Sequence, residues 1–339
     1  KLRQSPRLGD LIVAPGNAGI AQIAGCVPLS VPSAHVPEHD VRTYGEAIID
    51  LATSRKSDLV VVAPDDPLAF GLVDIVEAAG VRAFGPSKAA ARLEASKSFA
   101  KDLMRRHGIP MGEAARFDDF EAARTYVESR PCDVVVKADG LFVGKGTVVP
   151  SSRDEAISVL RAMLIDGEMG AAGRTVVIED MLAGRETSAM AFKDGKTVAH
   201  MPFSCDHKPA FDGDRGPNTG GMGVYSPPSW LSDATAAQIR RDVTEAAVRA
   251  MAAEGTPFKG ILYPGIFVTA DGPRVIEFNA RFGDPEAEAL LPRLESDLLE
   301  IMLAVAAGTL DRVDVRWRDD AALTVMLASG GYPGAYETG

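Results

Sequence analysis

The chain has 339 residues, of which 46% are hydrophobic and 24% charged, and its net charge is −11. This composition is typical of a globular protein of two or three domains, and the negative charge disfavours nucleic acid and anionic membranes as partners. The sequence has no apolar run near the roughly 18 residues of a membrane span, no signal-peptide pattern and three scattered cysteines without a CxxC pair. These features argue against disulfides and a zinc site, and we expect a cytoplasmic protein.

The first 84 residues alternate strand and helix patterns, which predicts a doubly wound parallel sheet. After an opening helical stretch at Leu2–Leu8, strands and helices are predicted in turn at Asp10–Ala14, Tyr44–Arg55, Asp58–Ala63, Leu68–Ala79 and Val81–Phe84. Such sheets bind ligands at the carboxyl ends of their strands, where Gly16 and Asn17 follow the first strand. Because such a sheet usually begins with a strand and a glycine loop, we expect the N-terminus to be incomplete.

A helix is predicted after the boundary at Gly85-Pro86-Ser87. Ser96 is a candidate N-cap, and His107-Gly108 ends the pattern. Lys97 is then the first helical residue, where a cation opposes the helix dipole. A phosphate bound at this helix end would reverse the sign of that interaction; the alternative is a lysine in solvent.

A glycine-rich hairpin is predicted between the β-branched runs Val134–Val136 and Thr147–Val149. Glycine N–H groups and lysines together form anion pockets, and this hairpin supplies Lys137, Gly144, Lys145 and Gly146. The hypothesis is a hairpin folded over a polyphosphate; the alternative is an ordinary hairpin with an exposed lysine at its tip. A strand at Thr175–Ile178 and helices at Ala114–Arg130 and Asp154–Asp166 complete a small α+β unit suited to act as a lid.

The segment Ser204–Ser226 contains no regular pattern, although antiparallel strands at Glu186–Phe192 and Thr197–Phe203 precede it. More than about twenty irregular residues inside a compact domain are usually functional or disordered. Aromatic and methionine residues argue against disorder. We therefore expect a binding loop, followed by a long amphipathic helix at Ala234–Glu254.

Paired strands are predicted at Gly260–Val268 and Arg274–Phe278. Alternation along the second strand points one set of side chains away from the core, namely Val275, Glu277, Asn279 and Arg281, and the other set into it, namely Ile276, Phe278 and Ala280. Glu277 and Asn279 are adjacent oxygen ligands suited to Mg²⁺, and Arg281 suits a phosphate oxygen. The alternative is a surface strand with one ion pair. Asp284–Gly308 is predicted to be helical and Ala321–Ala328 a strand, and we expect the C-terminus to be incomplete.

Jointly, these motifs resemble a known family. The stretches VVVKADGLFVGKGTVV, SCDHKPAFDGDRGPNTGGMGVYSP and VIEFNARFGDPEAE are similar to those of phosphoribosylamine–glycine ligases, which are ATP-grasp enzymes. APGNAGIA, APDDPL and the stretch from Gly85 to Pro110 also match, so the resemblance covers nearly the whole chain. The DHK–PNTGGMG loop is specific to this ligase, whereas the hairpin and the EFNAR strand indicate only an ATP-grasp carboxylate–amine ligase.

The resemblance implies a reaction in which ATP phosphorylates the carboxylate of glycine to glycyl phosphate. The amine of 5-phosphoribosylamine then attacks the acyl carbon and releases phosphate. It implies ATP and Mg²⁺ or Mn²⁺ as cofactors, and we expect a monomer that binds neither nucleic acid nor membrane. The absence of an obvious protein nucleophile fits phosphoryl transfer, in which the protein positions groups and stabilises charge.

The resemblance also implies roles for individual residues. ATP phosphates should contact Lys97, Lys137 and Lys145, with the Gly144–Gly146 backbone closing over them, and Lys145 and Arg281 should act in catalysis. Adenine should meet Glu179 and Leu182, the ribose Glu186, and the metal Glu277 and Asn279. The glycine and phosphoribosylamine pocket should comprise Gly16, Asn17, Asp206, Lys208, Asp212, Asp214, Asn218, Thr219, Gly220, Gly221 and Met222.

The expected architecture is α/β and α+β, with a partial doubly wound domain at 1–84 and an ATP-grasp domain at 85–310. The lid subdomain should span about 111–176, and an incomplete C-terminal domain should occupy 311–339. The chain departs from the family pattern at Pro209, where an arginine is usual after DHK. Two alternatives stay open: another ATP-grasp ligase, and a non-catalytic nucleotide-binding fragment. The lack of GxGxxG argues against a nicotinamide-dependent dehydrogenase.

Overall fold

The computed structural model describes residues 1–32, 38–141, 146–170 and 172–337. Its N-terminal part contains short parallel strands and helices, in the order β1 (Ile12–Val13), β2 (Gly25–Cys26), α1 (Glu38–Ser54), β3 (Val60–Val61), α2 (Asp65–Phe70), α3 (Leu72–Ala78) and β4 (Ala83–Phe84). β1 pairs with β2 and β3 with β4, both in parallel. The predicted helix at Leu68–Ala79 is divided because Gly71 adopts a left-handed conformation at φ 94°. The opening stretch forms only a 3₁₀ turn at Leu2–Gln4.

Two helices connect this part to the rest of the molecule: α4 (Lys88–Ala95) and α5 (Lys97–His107). Ser96 caps α5 by accepting a hydrogen bond from the Phe99 N–H. Gly108 ends the helix in a left-handed conformation. The sequence prediction for this helix is confirmed at both ends, because a serine cap and a glycine stop are strong local signals.

The unit expected to act as a lid, which we call the lid subdomain, contains β5 (Ala114–Phe117), α6 (Phe120–Ser129), β6 (Val134–Ala138), β7 (Thr147–Val148), α7 (Arg153–Leu164) and β8 (Val176–Asp180). Its antiparallel sheet has the order β5-β8-β6-β7, and a separate apolar cluster lies under it. The predicted helix at Ala114–Arg130 was wrong at its start. Ala114–Phe117 pairs with β8 as a strand, and the helix begins only after Asp119, which caps it.

The central sheet begins with β9 (Arg185–Ser188), β10 (Ala191–Asp194) and β11 (Val198–His200). The segment predicted as an irregular loop instead contains β12 (Cys205–Asp206), β13 (Pro209–Phe211), β14 (Arg215–Asn218) and β15 (Gly223–Ser226). β13 and β14 form an antiparallel hairpin, and β12 pairs with β15. We call residues 207–222, which contain most of the residues expected at the substrate pocket, the substrate hairpin. Its strands escaped prediction because they are short and rich in glycine and proline, which are depleted in strands.

The remaining elements are α8 (Asp233–Ile239), a π-helical segment at Arg240–Glu245, α9 (Ala246–Ala253), β16 (Lys259–Thr269), β17 (Gly272–Asn279), α10 (Glu286–Leu290), α11 (Leu298–Ala307) and β18 (Ala322–Val325). β16 pairs with β9, β10 and β17 and is the centre of the main sheet. Helices cover both of its faces. Leu262 and Ile266 pack with α5 and α9, whereas Ile261 and Tyr263 pack with α11.

A β-bulge at Ile276 changes which side chains of β17 face the core. Gly265 pairs with Glu277 but Ile266 pairs with Val275, so one extra residue lies on β17. Beyond the bulge the predicted alternation holds, with Phe278 buried and Glu277 and Asn279 on the other face. Before it the alternation is reversed: Val275 is fully buried and Ile276 is not. The prediction for these two residues was wrong because an extra residue shifts a two-residue repeat by one.

Cys26 and Cys132 are exposed and Cys205 is buried, and each of these thiols is free. Within the described ranges, no helix combines the length and apolar composition needed to cross a membrane.

Lys193 is the least expected residue of the core. Its side chain on β10 is 0% exposed, and its Nζ has no hydrogen-bond partner among the described residues. Burial lowers the pKa of this amine well below its usual value, and Glu245 only partly opposes that shift. We therefore expect Lys193→Met to raise the free energy of unfolding by about 1–3 kcal/mol at pH 7, because it removes an unpaired buried polar group at similar volume.

The sign of the pH dependence follows from the lowered pKa. The unfolded chain binds the proton more tightly, so the stability of the wild type rises with pH up to about 10.4, where the unfolded lysine titrates. The stability difference between Lys193→Met and the wild type should therefore shrink between pH 7 and pH 9 in urea unfolding. The exposed Lys196→Met is the matched control. A variant less stable than the wild type would contradict this account.

Candidate active site

Glu277 lies at the centre of a cluster of cations. It is on β17, one residue beyond the bulge. Burial opposes its ionisation, but nearby lysines and an arginine hold the pKa of this carboxyl below its usual value; these cations are Lys208, Lys137, Lys97 and Arg281. They come from different parts of the chain. The structure thus brings the predicted metal ligand together with four of the predicted phosphate-site and substrate-site residues.

Lys137 connects the lid subdomain to the central sheet. Its Nζ donates a hydrogen bond of 2.9 Å to the carbonyl oxygen of Ile276, at the bulge. The same Nζ lies 3.0 Å from Oε1 of Glu179 on β8. The bulge therefore has a second effect, since it offers a backbone oxygen that fixes this lysine.

Glu179 is shared between two buried lysines. Its Oε2 accepts a hydrogen bond of 2.8 Å from Lys101 of α5, in addition to the contact with Lys137. Burial favours the neutral acid, yet these two lysines hold the pKa of Glu179 below its usual value. Burial likewise lowers the pKa of Lys101 to about 8, although Glu179 counteracts it. Glu179 thus joins the lid subdomain to α5.

Lys97 and Asp139 form a further contact between the hairpin and α5. Lys97 Nζ donates a hydrogen bond of 2.8 Å to the Gly140 carbonyl oxygen. The carboxylate of Asp139 accepts from the backbone N–H of Ser98 at 3.1 Å and from the hydroxyls of Ser96 and Ser98. The Asp139 carboxylate therefore receives the Ser98 N–H in the first turn of α5. The pKa of Lys97 is lowered by burial, with Glu277 opposing the shift.

Of the remaining hairpin residues, Gly146 is buried, and its carbonyl oxygen accepts a hydrogen bond of 2.8 Å from the Ala138 N–H. Gly144 and Lys145 lie outside the described residues. Leu182 is half-buried next to Gly112, beyond the end of β8.

Lys208 lies between two carboxylates. Its Nζ is 2.8 Å from Oε1 of Glu186 on β9 and 3.9 Å from Oε1 of Glu277. Burial disfavours the charged amine, but Glu277 and Glu186 outweigh it and raise the pKa of Lys208 above its usual value. Lys208 is therefore a permanent cation that draws the base of the substrate hairpin to β17.

Asp206 and Gly221 meet beside this lysine. Burial, reinforced by Glu286, raises the pKa of Asp206 to about 7, although Lys208 opposes the shift. Gly221 has φ 135°, and a Cβ there would lie 2.7 Å from Oδ1 of Asp206 and 2.4 Å from Cδ of Pro285. This close approach requires glycine. Thr219 closes the base of the hairpin through two hydrogen bonds of 2.8 Å to the Lys208 carbonyl oxygen.

Most of the other predicted substrate residues are exposed or make hydrogen bonds to groups outside this cluster. Asp212, Asp214 and Asn218 are exposed toward the tip of the substrate hairpin. The Gly220 N–H donates to the Tyr332 hydroxyl, and the Met222 N–H donates to the His207 carbonyl oxygen. Gly16 makes a left-handed turn at φ 75°, and the Asn17 side chain accepts from the Ile20 N–H within its own turn.

Arg281 follows β17 and is held by two acids. Its Nη2 lies 3.2 Å from Oε1 of Glu94, and its Nε lies 4.0 Å from Oδ2 of Asp65. A third contact runs from Nη1 to the Phe282 carbonyl oxygen at 3.1 Å. Burial raises the pKa of Glu94 to about 7, with Arg281 as the main opposing influence.

Glu277 and Asn279 fit a divalent metal ion. The amide nitrogen of Asn279 donates to the Tyr263 carbonyl oxygen at 3.4 Å, which leaves its Oδ1 free to act as a ligand. The described residues contain no group of three or more His, Cys, Asp or Glu side chains able to hold a metal. A pair of oxygen ligands suits Mg²⁺, which commonly binds one or two protein oxygens together with substrate phosphates.

Three residues of the cluster were missed by sequence reasoning. Lys101 lies four residues after Lys97 on the same helix face, and this spacing could have revealed it. Glu94 lies in the last turn of α4, where an acid opposes the helix dipole, so its position was itself a signal. Asp139 had no signal beyond its place in the hairpin.

Comparison with known families shows to which family the chain belongs. The model of the phosphoribosylglycinamide synthetase N domain matches residues 1–94, and that of its ATP-grasp (A) domain matches residues 95–287. The chain belongs to the phosphoribosylglycinamide synthetase family. The expected fold class, in which an ATP-grasp domain follows an α/β domain along the chain, is thereby confirmed. The resemblance described above is confirmed as well.

Named relatives share this family. The chain is 47% identical to a phosphoribosylamine–glycine ligase of Agrobacterium fabrum over 99% of its own length and 77% of that protein. It is 46% identical to a trifunctional purine biosynthetic protein of Gallus gallus, covering 33% of that longer protein. A crystal structure of phosphoribosylamine–glycine ligase from Thermotoga maritima superposes with a TM-score of 0.81 at 30% identity, covering 97% of this chain and 76% of that one.

Glu179→Ala tests whether this carboxylate joins the lid subdomain to α5. Because it removes the buried carboxylate that Lys101 and Lys137 both contact, we expect a loss of about 3–5 kcal/mol in the free energy of unfolding. The pKa of Glu179 is lowered in the folded state, so its contribution exists at neutral pH. The difference between variant and wild type should therefore shrink below about pH 4.3, where unfolded glutamate titrates.

Urea unfolding at pH 7 and at acid pH provides the measurement. The exposed Glu168→Ala, also in the lid subdomain, is the control and should change stability by less than about 0.5 kcal/mol. If the unfolding midpoint is unaltered and nucleotide binding is weaker, Glu179 contacts the ligand and does not join the lid subdomain to α5.

Proposed function

We propose that the chain catalyses the ATP-dependent ligation of glycine to 5-phosphoribosylamine, giving glycinamide ribonucleotide, ADP and phosphate. The observation that carries this proposal is the single carboxylate of Glu277 faced by Lys97, Lys137, Lys208 and Arg281. Such a field of cations around one metal-binding acid suits a reaction in which charge builds up on a transferring phosphoryl group. Membership of the family and the names of the relatives support the choice of glycine and phosphoribosylamine.

In this proposal the nucleotide lies between the lid subdomain and β17. Its phosphates contact Lys97, Lys137 and the backbone at Gly146, together with Gly144 and Lys145. Glu186 meets the ribose. The adenine contact falls to Leu182 rather than to the side chain of Glu179, because two lysines already use that carboxylate.

A divalent ion, Mg²⁺ or Mn²⁺, would be held by Glu277 and Asn279. When bound, it neutralises the charge of phosphate oxygens and makes the phosphorus more electrophilic. The positive charge of the ion would also weaken the attraction between Glu277 and Lys208, whose charged atoms lie 3.9 Å apart.

The substrates supply the reacting groups, and the protein orients them. A carboxylate oxygen of glycine attacks the γ-phosphorus and ADP leaves. The phosphoribosylamine nitrogen then attacks the acyl carbon, loses a proton and displaces phosphate. Arg281 stabilises the transferring phosphoryl group. The proposed substrate pocket contains Lys208 and Asp206 at its base, with Gly16, Asn17, Asp212, Asp214, Asn218, Thr219, Gly220, Gly221 and Met222 around it.

The test mixes the chain with Mg-ATP, glycine and freshly prepared phosphoribosylamine. Chromatography should reveal glycinamide ribonucleotide in amounts equal to the ADP formed. ADP release that ignores these two substrates but depends on another carboxylic acid would indicate a different ligase. Thermal stabilisation by Mg-ATP with no ADP formed under any substrate pair would indicate a nucleotide-binding protein without catalysis.

Glu277→Gln should reduce metal-dependent turnover by at least about 100-fold, because it removes the charged ligand from a site that stabilises phosphoryl charge. The fold should persist at reduced stability, since each of the four cations around Glu277 keeps a second partner. Initial rates of ADP release at saturating substrates give the measurement. Glu77→Gln, an exposed glutamate of α3, is the matched control; turnover of Glu277→Gln near that of this control would refute the metal role.

A further inference from the structure

Glu94 contacts the active-site strand from a helix that carries no other residue of the cluster. It lies in the last turn of α4, and its side chain is 8% exposed. Oε1 lies 3.2 Å from Nη2 of Arg281, and Oε2 accepts a hydrogen bond of 2.8 Å from the Ala280 N–H. Both carboxylate oxygens are therefore used by the two residues that directly follow β17.

The position of this acid is unfavourable without such contacts. A carboxylate in the last turn of a helix opposes the helix dipole, and a buried charge is costly unless it is paired and hydrogen-bonded. The charged groups around it are Arg281, which attracts it, Asp65 and Glu277, which repel it, and Lys97. Arg281 is the partner that most favours the ionised form of Glu94.

The contacts of Arg281 fix its guanidinium on several sides. Glu94 holds Nη2, Asp65 lies 4.0 Å from Nε on a second side, and the Phe282 carbonyl oxygen accepts from Nη1. A planar guanidinium with its donors engaged in this way has little freedom to rotate. The hydrogen bond from the Ala280 N–H to Glu94 also fixes the backbone next to Arg281.

We propose that Glu94 is a positioning residue, which holds the guanidinium of Arg281 at the phosphoryl site beside Glu277. This inference rests on the proposed function, because Arg281 acts there on the transferring phosphoryl group. Glu94 touches neither nucleotide nor substrate. Its loss therefore affects charge stabilisation in the transition state more than ground-state binding, and kcat falls while the KM for ATP changes little.

Glu94→Gln keeps the shape and the acceptor for the Ala280 N–H but removes the charge that pairs with Arg281. We expect kcat to fall about 10- to 100-fold, with the KM for Mg-ATP within about threefold of the wild type. Glu94→Asp, which retains the charge on a shorter side chain, should recover part of this loss. Glu77→Gln is the control and should behave as the wild type.

A double variant identifies the route of the effect. In an Arg281→Ala background, Glu94→Gln should cause no further loss of kcat, because residues that act through one another are not additive. An equal fold-loss in both backgrounds overturns the proposal, as does a rise in KM at unchanged kcat. If Glu94→Gln lacks a cooperative unfolding transition, the same comparison is made with Glu94→Asp.

A measurement that needs no ligase activity separates this inference from the proposed function. The ¹⁵N–¹H signal of Arg281 Nε, assigned by its loss in Arg281→Lys, should shift in Glu94→Gln and exchange faster with water. A shifted signal in a chain that forms no glycinamide ribonucleotide refutes the function but retains the positioning of Arg281. An unchanged signal in Glu94→Gln overturns the positioning role whatever the activity.

Discussion

The attraction between one carboxylate and four cations determines how the parts of this molecule meet. Burial disfavours the ionised form of Glu277. The attraction of four cations together outweighs this cost; they are Lys97, Lys137, Lys208 and Arg281. These cations would repel one another if no acid lay among them. Each is also held by a second group, respectively the Gly140 carbonyl oxygen, Glu179, Glu186 and Glu94. Charge balance therefore fixes the positions of the lid subdomain, α5 and the substrate hairpin around β17.

Apolar packing stabilises the interior of each unit, whereas charged and polar contacts connect the units. The lid subdomain has its own apolar cluster, whose described members all lie between Phe117 and Ile178. Its described contacts with α5 and β17 include the polar pairs Lys101–Glu179, Lys137–Ile276 and Asp139–Ser98. Burial of apolar surface stabilises each unit internally, whereas these paired polar groups specify how the units join.

Local signals in the sequence were sufficient for some elements and insufficient for others. Ser96 and Gly108 marked both ends of α5, because caps depend only on neighbouring residues. The change of phase at Ile276 could not be predicted, since a bulge exists only in relation to the partner strand. Ala114–Phe117 resembled a helix start in isolation and became a strand through pairing with β8, as expected where tertiary context overrides propensity.

The candidate site was predictable in its residue types but not in its pairings. Glu277 and Asn279 share a face because strand alternation requires it, and Arg281 follows directly after the strand ends. The joint use of Glu179 by Lys101 and Lys137 depends instead on how α5 and β8 cross, which a linear pattern does not contain. Glu94 was overlooked for the same reason, as its partner is 187 residues further along the chain.

The carboxylate of Asp139 has one more consequence for the chemistry at this site. Because it accepts from the Ser98 N–H, that first-turn amide of α5 is not available to an anion, and the positive charge nearby comes from side-chain ammonium groups such as that of Lys97. An ammonium on a four-carbon stem can follow an oxygen that moves, whereas a backbone amide cannot. In the proposed reaction, the ammonium groups would therefore stay close to the phosphoryl group as it is transferred from ATP to glycine.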